Sequence, residues 1–322
     1  MLRLVWQGSK WYNRISKVKV RTPIGGWMKN NELYGIIVPL ITPVDSGDRV
    51  DESSFRKLIR HVIEGGVHGL FVGGSAGEGP LLAEKEWTRM MEIARDENEN
   101  RVPLLGGVMD TSTKRVKEKI QLLKQMGYEF FVVSPTFYIS LTTPEEHFRL
   151  FSECVDAGAG IEMVGYNIPQ NTHSQVPVEV FHECARRGWI RYSKDSSGDM
   201  EYFRRLQAGG LKVFSGSEVD LADKLLAGAV GAVNVCANYE PETYVRAYSA
   251  ALKEDREELA KMQKRVDFLR QSLVLGGTCW LSGVKYAMST LGIGSGKPIS
   301  PLQPAPEKQR KMIDEITREK RV

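Results

Sequence analysis

The stretch GIIVPLI at 35–41, followed by DESSFRKLIRHVI at 51–63 and the pair Gly65-Gly66, is the unit whose repetition decides the fold. The first run is apolar without alternation, as suits a strand buried on both faces of a parallel sheet. Asp51 stands where an N-cap belongs. Phe55, Leu58, Ile59 and Val62 then recur at helical spacing, and the glycine pair stops the run. The same unit recurs along the chain. Strands are predicted at 68–72, 103–108, 130–134, 161–166, 190–194, 211–215 and 230–235. Helices are predicted at 84–98, 112–126, 144–157, 178–187, 199–208, 218–227 and 241–253. Strands alternating with helices imply a parallel sheet with crossover helices. Eight such units favour closure into a (β/α)8 TIM barrel over an open sheet, and no G-x-G-x-x-G follows the first strand. The expected organisation is a basic extension over 1–33, a catalytic barrel over 34–254 and a helical subdomain over 255–322. In the last, Leu259, Met262, Val266, Leu269 and Leu273 fall near one helix face, and Gly276-Gly277 and the segment 292–304 interrupt it.

Composition excludes several classes. The 322 residues are 42% apolar, ample for a large core, and the net charge is only +4. The first 31 residues hold Arg3, Lys10, Arg14, Lys17, Lys19, Arg21 and Lys29 with no acid, which accounts for that surplus. Nucleic acid is therefore not an expected partner. No run of 18 apolar residues suggests a membrane span. The extension lacks the apolar core of a secretory signal. It reads as a disordered tail or an upstream start ahead of Met28, with a transit peptide as the alternative. The cysteines Cys154, Cys184, Cys236 and Cys279 are scattered, as expected of a chain in a reducing, cytoplasmic compartment. The histidines and cysteines show no metal-ligand spacing. No metal and no cofactor are expected.

In barrels of this kind the reactive groups stand at the C-terminal ends of strands. Strand six ends in Tyr192-Ser193-Lys194-Asp195, with Lys194 at the mouth. An amine in a partly desolvated pocket holds its proton less tightly, and a neutral amine adds to a ketone to form an imine. The plainer account is a strand-end lysine paired with Asp195. Strand five ends in Gly165-Tyr166-Asn167-Ile168-Pro169, placing a phenol at the same mouth for proton transfer. Strand two runs into Gly73-Gly74-Ser75-Ala76-Gly77-Glu78-Gly79-Pro80. Its backbone can form an anion nest, and the Ser75 hydroxyl can relay a proton to Tyr166. A tight turn that merely needs glycine is the competing account. Together these groups can bind a 2-oxo acid, form an imine and move protons.

The motifs GIIVPLITP at 35–43, GGSAGEGPLL at 73–82, YNIP at 166–169, SKDSSGD at 193–199, SGSE at 215–218 and GAVNVCANYEPE at 231–242 carry a resemblance. The chain resembles the dihydrodipicolinate synthase / N-acetylneuraminate lyase family of class I, Schiff-base-forming aldolases from about Tyr34 to about residue 315. The resemblance implies that Lys194 forms the Schiff base, Tyr166 is the catalytic phenol and Ser75 the relay hydroxyl. It further implies that Gly74, Ala76, Asn171, Gly216, Glu218, Val235 and Tyr138 surround the substrate. Pyruvate is the implied 2-oxo acid and a homotetramer, a dimer of dimers, the implied assembly.

Departures from the family pattern bear on substrate. Lysine-pathway synthases carry an arginine five residues after the tyrosine, and here that position is Asn171, which cannot make the bidentate charged pair. Ala76 replaces the second hydroxyl of the glycine-rich motif. Phe137 stands at the interface tyrosine, with Tyr138 beside it. Thr172, His173, Ser217, Glu218 and Asn238 are candidates to bond a polyhydroxylated chain. The leading expectation is reversible cleavage of a 2-keto-3-deoxy sugar acid or N-acetylneuraminate-like substrate. The alternatives are the synthase reaction with aspartate semialdehyde, a keto-deoxy acid dehydratase, and a non-enzymatic 2-oxo acid binding protein.

Overall fold

Eight short parallel strands hydrogen-bond in sequence order and close on themselves, β1 against β8. The computed structural model describes residues 32–277 and 279–320. The extension expected over 1–33 lies outside them except for Glu32 and Leu33. The strands are β1 (Gly35–Pro39), β2 (Gly69–Val72), β3 (Leu104–Gly107), β4 (Phe130–Val133), β5 (Glu162–Asn167), β6 (Ile190–Asp195), β7 (Lys212–Ser215) and β8 (Gly231–Ala232). The helices are α1 (Glu52–Glu64), α2 (Glu84–Asn98), α3 (Thr113–Gln125), α4 (Pro144–Ala157), α5 (Pro169–Thr172), α6 (Val178–Arg186), α7 (Met200–Ala208), α8 (Leu221–Leu226), α9 (Pro241–Leu252), α10 (Arg256–Leu269), α11 (Ser282–Thr290) and α12 (Glu307–Lys320). This is the (β/α)8 barrel expected from the alternation, followed by C-terminal helices.

Local chemistry explains most boundaries. Asp51 caps α1 by accepting from Ser54 N, and Thr143 and Glu146 form a reciprocal capping box at α4. Strand alternation sorts side chains into two cores. Ile37, Phe71, Leu105, Phe130, Val132, Val164, Tyr166, Tyr192 and Phe214 fill the barrel interior. Ile36, Val38, Leu70, Val72, Phe131, Val133 and Val213 face the helices. Leu33 plugs the N-terminal end of the interior, where its N–H donates to Tyr192 Oη at 3.0 Å.

Three elements differ from the sequence reading, each for a physical reason. Strand eight, expected over 230–235, is confined to Gly231–Ala232, and Val235–Asn238 is a 3-10 turn. The Asn238 side chain takes Ile41 N and gives to the carbonyls of Pro39 and Val235, which curls the chain back onto β1. Helix α8 begins at Leu221 and not at Glu218, because the Glu218 side chain turns inward. Helix α5 was not anticipated; Pro169 opens it at N1, where a missing N–H costs nothing.

Past the barrel, α10 packs on α9, and a π-helical turn at Arg270–Val274 follows it. The stripe Leu259, Met262, Val266, Leu269 and Leu273 is buried. α11 packs against α12 and against the 3-10 turn after β8, which brings the C-terminal helices to the barrel mouth. Among the described residues no helix is long and apolar enough to cross a membrane.

Candidate active site

Lys194 and Tyr166 lie directly opposite each other on β6 and β5. The register needed a correction to bring them there. Met163 pairs with Ile190, but Val164 pairs with Tyr192, so Arg191 is an extra residue in β6. Such a bulge moves every later side chain to the other face. It turns Tyr192 and Lys194 into the barrel beside Val164 and Tyr166. Arg191 itself stays outside, bonded to Glu162 at 2.7 and 2.5 Å.

Inside the mouth, Lys194 Nζ lies 4.2 Å from the centre of the Tyr166 ring and 5.3 Å from that of Phe71. Lys194 is 7% exposed and Tyr166 2%. No carboxylate among the described residues forms an ion pair with Lys194. The Asp195 pairing considered from sequence does not occur, because Asp195 faces the opposite side of β6. There it accepts from Asn167 Nδ2 at 2.9 Å and from Ser197 N and Oγ, with Lys224 Nζ at 3.9 Å. Asn167 in turn accepts from Val176 N. The residues that follow the phenol and the amine thus bond to each other and tie the two strand ends side by side.

The glycine-rich turn stands on the other wall. A Cβ on Gly74 would lie 2.7 Å from the Phe71 ring, so the turn rests on the ring that also lines Lys194. Ala76 and Gly74 are buried, and Ser75 is half-buried. Among the described residues no hydrogen bond joins Ser75 to Tyr166. The hydroxyl that reaches Tyr166 Oη is Ser196 Oγ, at 3.5 Å. Ser196 escaped the sequence reading because it follows the strand, and only the β6 bulge sets which way it turns. Gly216 closes the third side. A Cβ there would meet Ser196 Oγ at 2.0 Å, Asp195 O at 3.0 Å and Lys194 Cε at 3.1 Å. Val235 stands half-buried at the start of the turn after β8.

Several expected substrate contacts are occupied elsewhere. Glu218 accepts from Cys236 N and Tyr244 Oη, both at 2.9 Å, behind the mouth, and burial raises its carboxyl. Asn238 spends its amide on β1 and on the turn after β8. The Thr172 hydroxyl is held by the carbonyls of Ile168 and Ser174. Each of these groups therefore already has a structural partner, and a sugar hydroxyl would have to use the acceptor capacity that remains on Glu218 and Thr172. Asn171 and His173 stand exposed on and just after α5, and Ser217 is half-buried after β7. Tyr138, expected near the substrate, is 90% exposed with φ 77, while Phe137 packs against the inner core.

The model of the dihydrodipicolinate synthetase family matches residues 32–320. The chain belongs to that family. It is an enzyme of the lyase type, as the family's aldolase-lyases are. Among family members, an uncharacterised DapA-like lyase of Halobacterium salinarum is 30% identical over 286 residues, covering 88% of this chain and 92% of its own. N-acetylneuraminate lyase 2 of Escherichia coli is 28% identical, with 88% and 93% covered. The crystal structure of a prophage protein of the family from E. coli K12, solved in complex with pyruvate, superposes with a TM-score of 0.84 at 24% identity, with 90% and 99% covered.

Proposed function

We propose that this family member cleaves a 2-keto-3-deoxy sugar acid or N-acetylneuraminate-like substrate to pyruvate and an aldehyde through an imine on Lys194. The observation that carries the reading is an amine in the barrel mouth, 7% exposed, without a carboxylate partner among the described residues and 4.2 Å from the centre of a phenol ring. The amine adds to the C2 ketone and water leaves, giving the imine. Tyr166 removes the proton of the C4 hydroxyl. The C3–C4 bond breaks, the aldehyde departs, and its electron pair enters the imine as an enamine. The enamine is protonated at C3 and water releases pyruvate, restoring the amine. Amide groups of Ser75 and Ala76, in the turn resting on Phe71, are suited to the substrate carboxylate. Ser196 is placed to assist the phenol, in addition to the Ser75 role that the family pattern implies.

Asn171 favours a hydroxylated substrate over aspartate semialdehyde, because an amide gives no bidentate charged pair. It stands exposed with His173 at the rim. The homotetramer and the cytoplasmic setting are part of the same proposal and rest on family membership. Borohydride reduction in the presence of pyruvate, followed by peptide mass analysis, is expected to place a pyruvate-derived adduct on Lys194. Its absence there ends the imine reading. A panel of 2-keto-3-deoxy acids and sialic acid, assayed by pyruvate release, is expected to yield turnover. Asn171→Arg is expected to shift condensation with pyruvate toward aspartate semialdehyde.

A further inference from the structure

Glu78, in the glycine-rich turn, and Lys285, on α11, form an ion pair while only 1% and 2% exposed. They stand 207 residues apart in sequence. The second carboxylate oxygen of Glu78 accepts from Ile299 N at 2.7 Å. Both oxygens of one residue in the turn are therefore held by the C-terminal region. Burial pulls the Lys285 ammonium below its ordinary range, against the attraction of Glu78.

Taking two charges out of water is expensive, and an apolar pair of similar volume often serves stability as well or better. What the pair specifies is backbone shape. Glu78 adopts φ 52, in the left-handed region. The turn closes through Glu78 N to Ser75 O and Gly79 N to Gly74 O, both at 3.2 Å, and Thr42 Oγ1 donates to Gly77 O at 2.6 Å. A Cβ on Gly79 would lie 2.1 Å from Gly73 O, so the chain is folded tightly upon itself. The turn rests on Phe71, whose ring centre is 5.3 Å from Lys194 Nζ. Any shift at Glu78 re-aims the amides of residues 75 and 76 relative to that amine.

We propose that Glu78 and Lys285 are positioning residues for carboxylate recognition, through which the C-terminal helices complete the site. The proposal rests on the reading that this turn binds the carboxylate of a 2-oxo acid. It predicts a selective defect. Ketones bearing a carboxylate should suffer when the pair is removed, and ketones without one should not.

The test uses the full chain, the Lys285→Met variant and the Glu78→Leu/Lys285→Met double variant. Borohydride trapping on Lys194 is titrated with pyruvate and, separately, with hydroxyacetone. In both variants the half-saturating pyruvate concentration is expected to rise tenfold or more, with the hydroxyacetone titration unchanged. The single variant leaves a buried carboxylate unpaired and is expected to melt lower. The double variant removes both charges, though it leaves Ile299 N without its acceptor, and is expected to melt higher than the single variant. An unchanged pyruvate titration, an equal loss with both ketones, or a double variant that melts lower than the single one overturns the proposal. Failure of the wild-type enzyme to trap pyruvate overturns the pyruvate reading and this proposal with it, so the two failures are distinguishable.

Discussion

Gly216 shows how little room the candidate chemistry leaves at a single residue. A methyl group there would press on Lys194 Cε at 3.1 Å and displace the Ser196 hydroxyl that reaches Tyr166. Displacements of about 1 Å at a reacting centre can cost on the order of a hundredfold in rate. Gly216→Ala is therefore expected to slow turnover by roughly ten- to a hundredfold. Its thermal midpoint should stay within a few degrees of wild type, because the position is half-exposed and the atom it meets most closely, Ser196 Oγ, is a hydroxyl that can rotate away. Wild-type rates in that variant would show that the amine does not occupy the place assigned to it. That Lys194 and Tyr166 stand at adjoining strand ends, with Gly216 close by, was legible in sequence from the strand pattern and the motifs. Ser196 was not, since a serine in a turn carries no signal until the fold orients it. Glu218 shows the opposite gap. Sequence offers it as a polar residue at a strand mouth and gives no sign that Tyr244 and Cys236 hold it.

Pairs of elements set the geometry that single residues exploit. The side chains of Asn167 and Asp195 bond across the ends of β5 and β6, one residue past the phenol and the amine. Both are fully buried. Asn167→Ala would leave Val176 N without its acceptor and Asp195 with one donor fewer. A buried group left unsatisfied costs about 1–3 kcal/mol. The variant is expected to lose about 1–3 kcal/mol in denaturant unfolding, mainly from the orphaned Val176 N–H, together with part of its activity. Unchanged unfolding would refute the role of this latch. The sequence spacing of Tyr166 and Lys194 carries the family pattern, yet their facing depends on one extra residue in β6. Bulges of this kind leave no mark in periodicity over a six-residue strand.

Closure of the whole barrel involves a titrating group at the end opposite the mouth. His68 Nδ1 accepts from Ile36 N at 3.1 Å, between the edges of Tyr34 and Tyr248. A Cβ on Gly35 would lie 2.5 Å from its ring, so glycine with φ 70 is needed there. Desolvation lowers this histidine from 6.5 to about 4. The unfolded chain then binds the proton more readily than the folded one, so stability rises with pH across that window. The contribution is full above about pH 6.5 and is lost as pH falls toward about 4. The difference in pKa corresponds to about 3 kcal/mol. His68→Asn keeps an acceptor for Ile36 N without the titration. Its unfolding free energy, measured between pH 7 and pH 4, is expected to fall less steeply than that of wild type. Parallel pH curves would remove His68 from the account.

From the sequence by itself came the alternation of apolar runs and amphipathic helices, and with it the closed barrel. The amine and the phenol at strand ends, and the glycines of the turn, were legible there too. All of these follow from local rules of period, capping and backbone freedom, which one chain segment obeys without reference to another. The tertiary structure alone decided the bulge that brings Lys194 beside Tyr166, the inward turn of Glu218 and Asn238, and the union of Glu78 with Lys285. Each depends on groups distant in sequence competing for the same buried donors and acceptors, and that competition is settled only when the chain has closed around them.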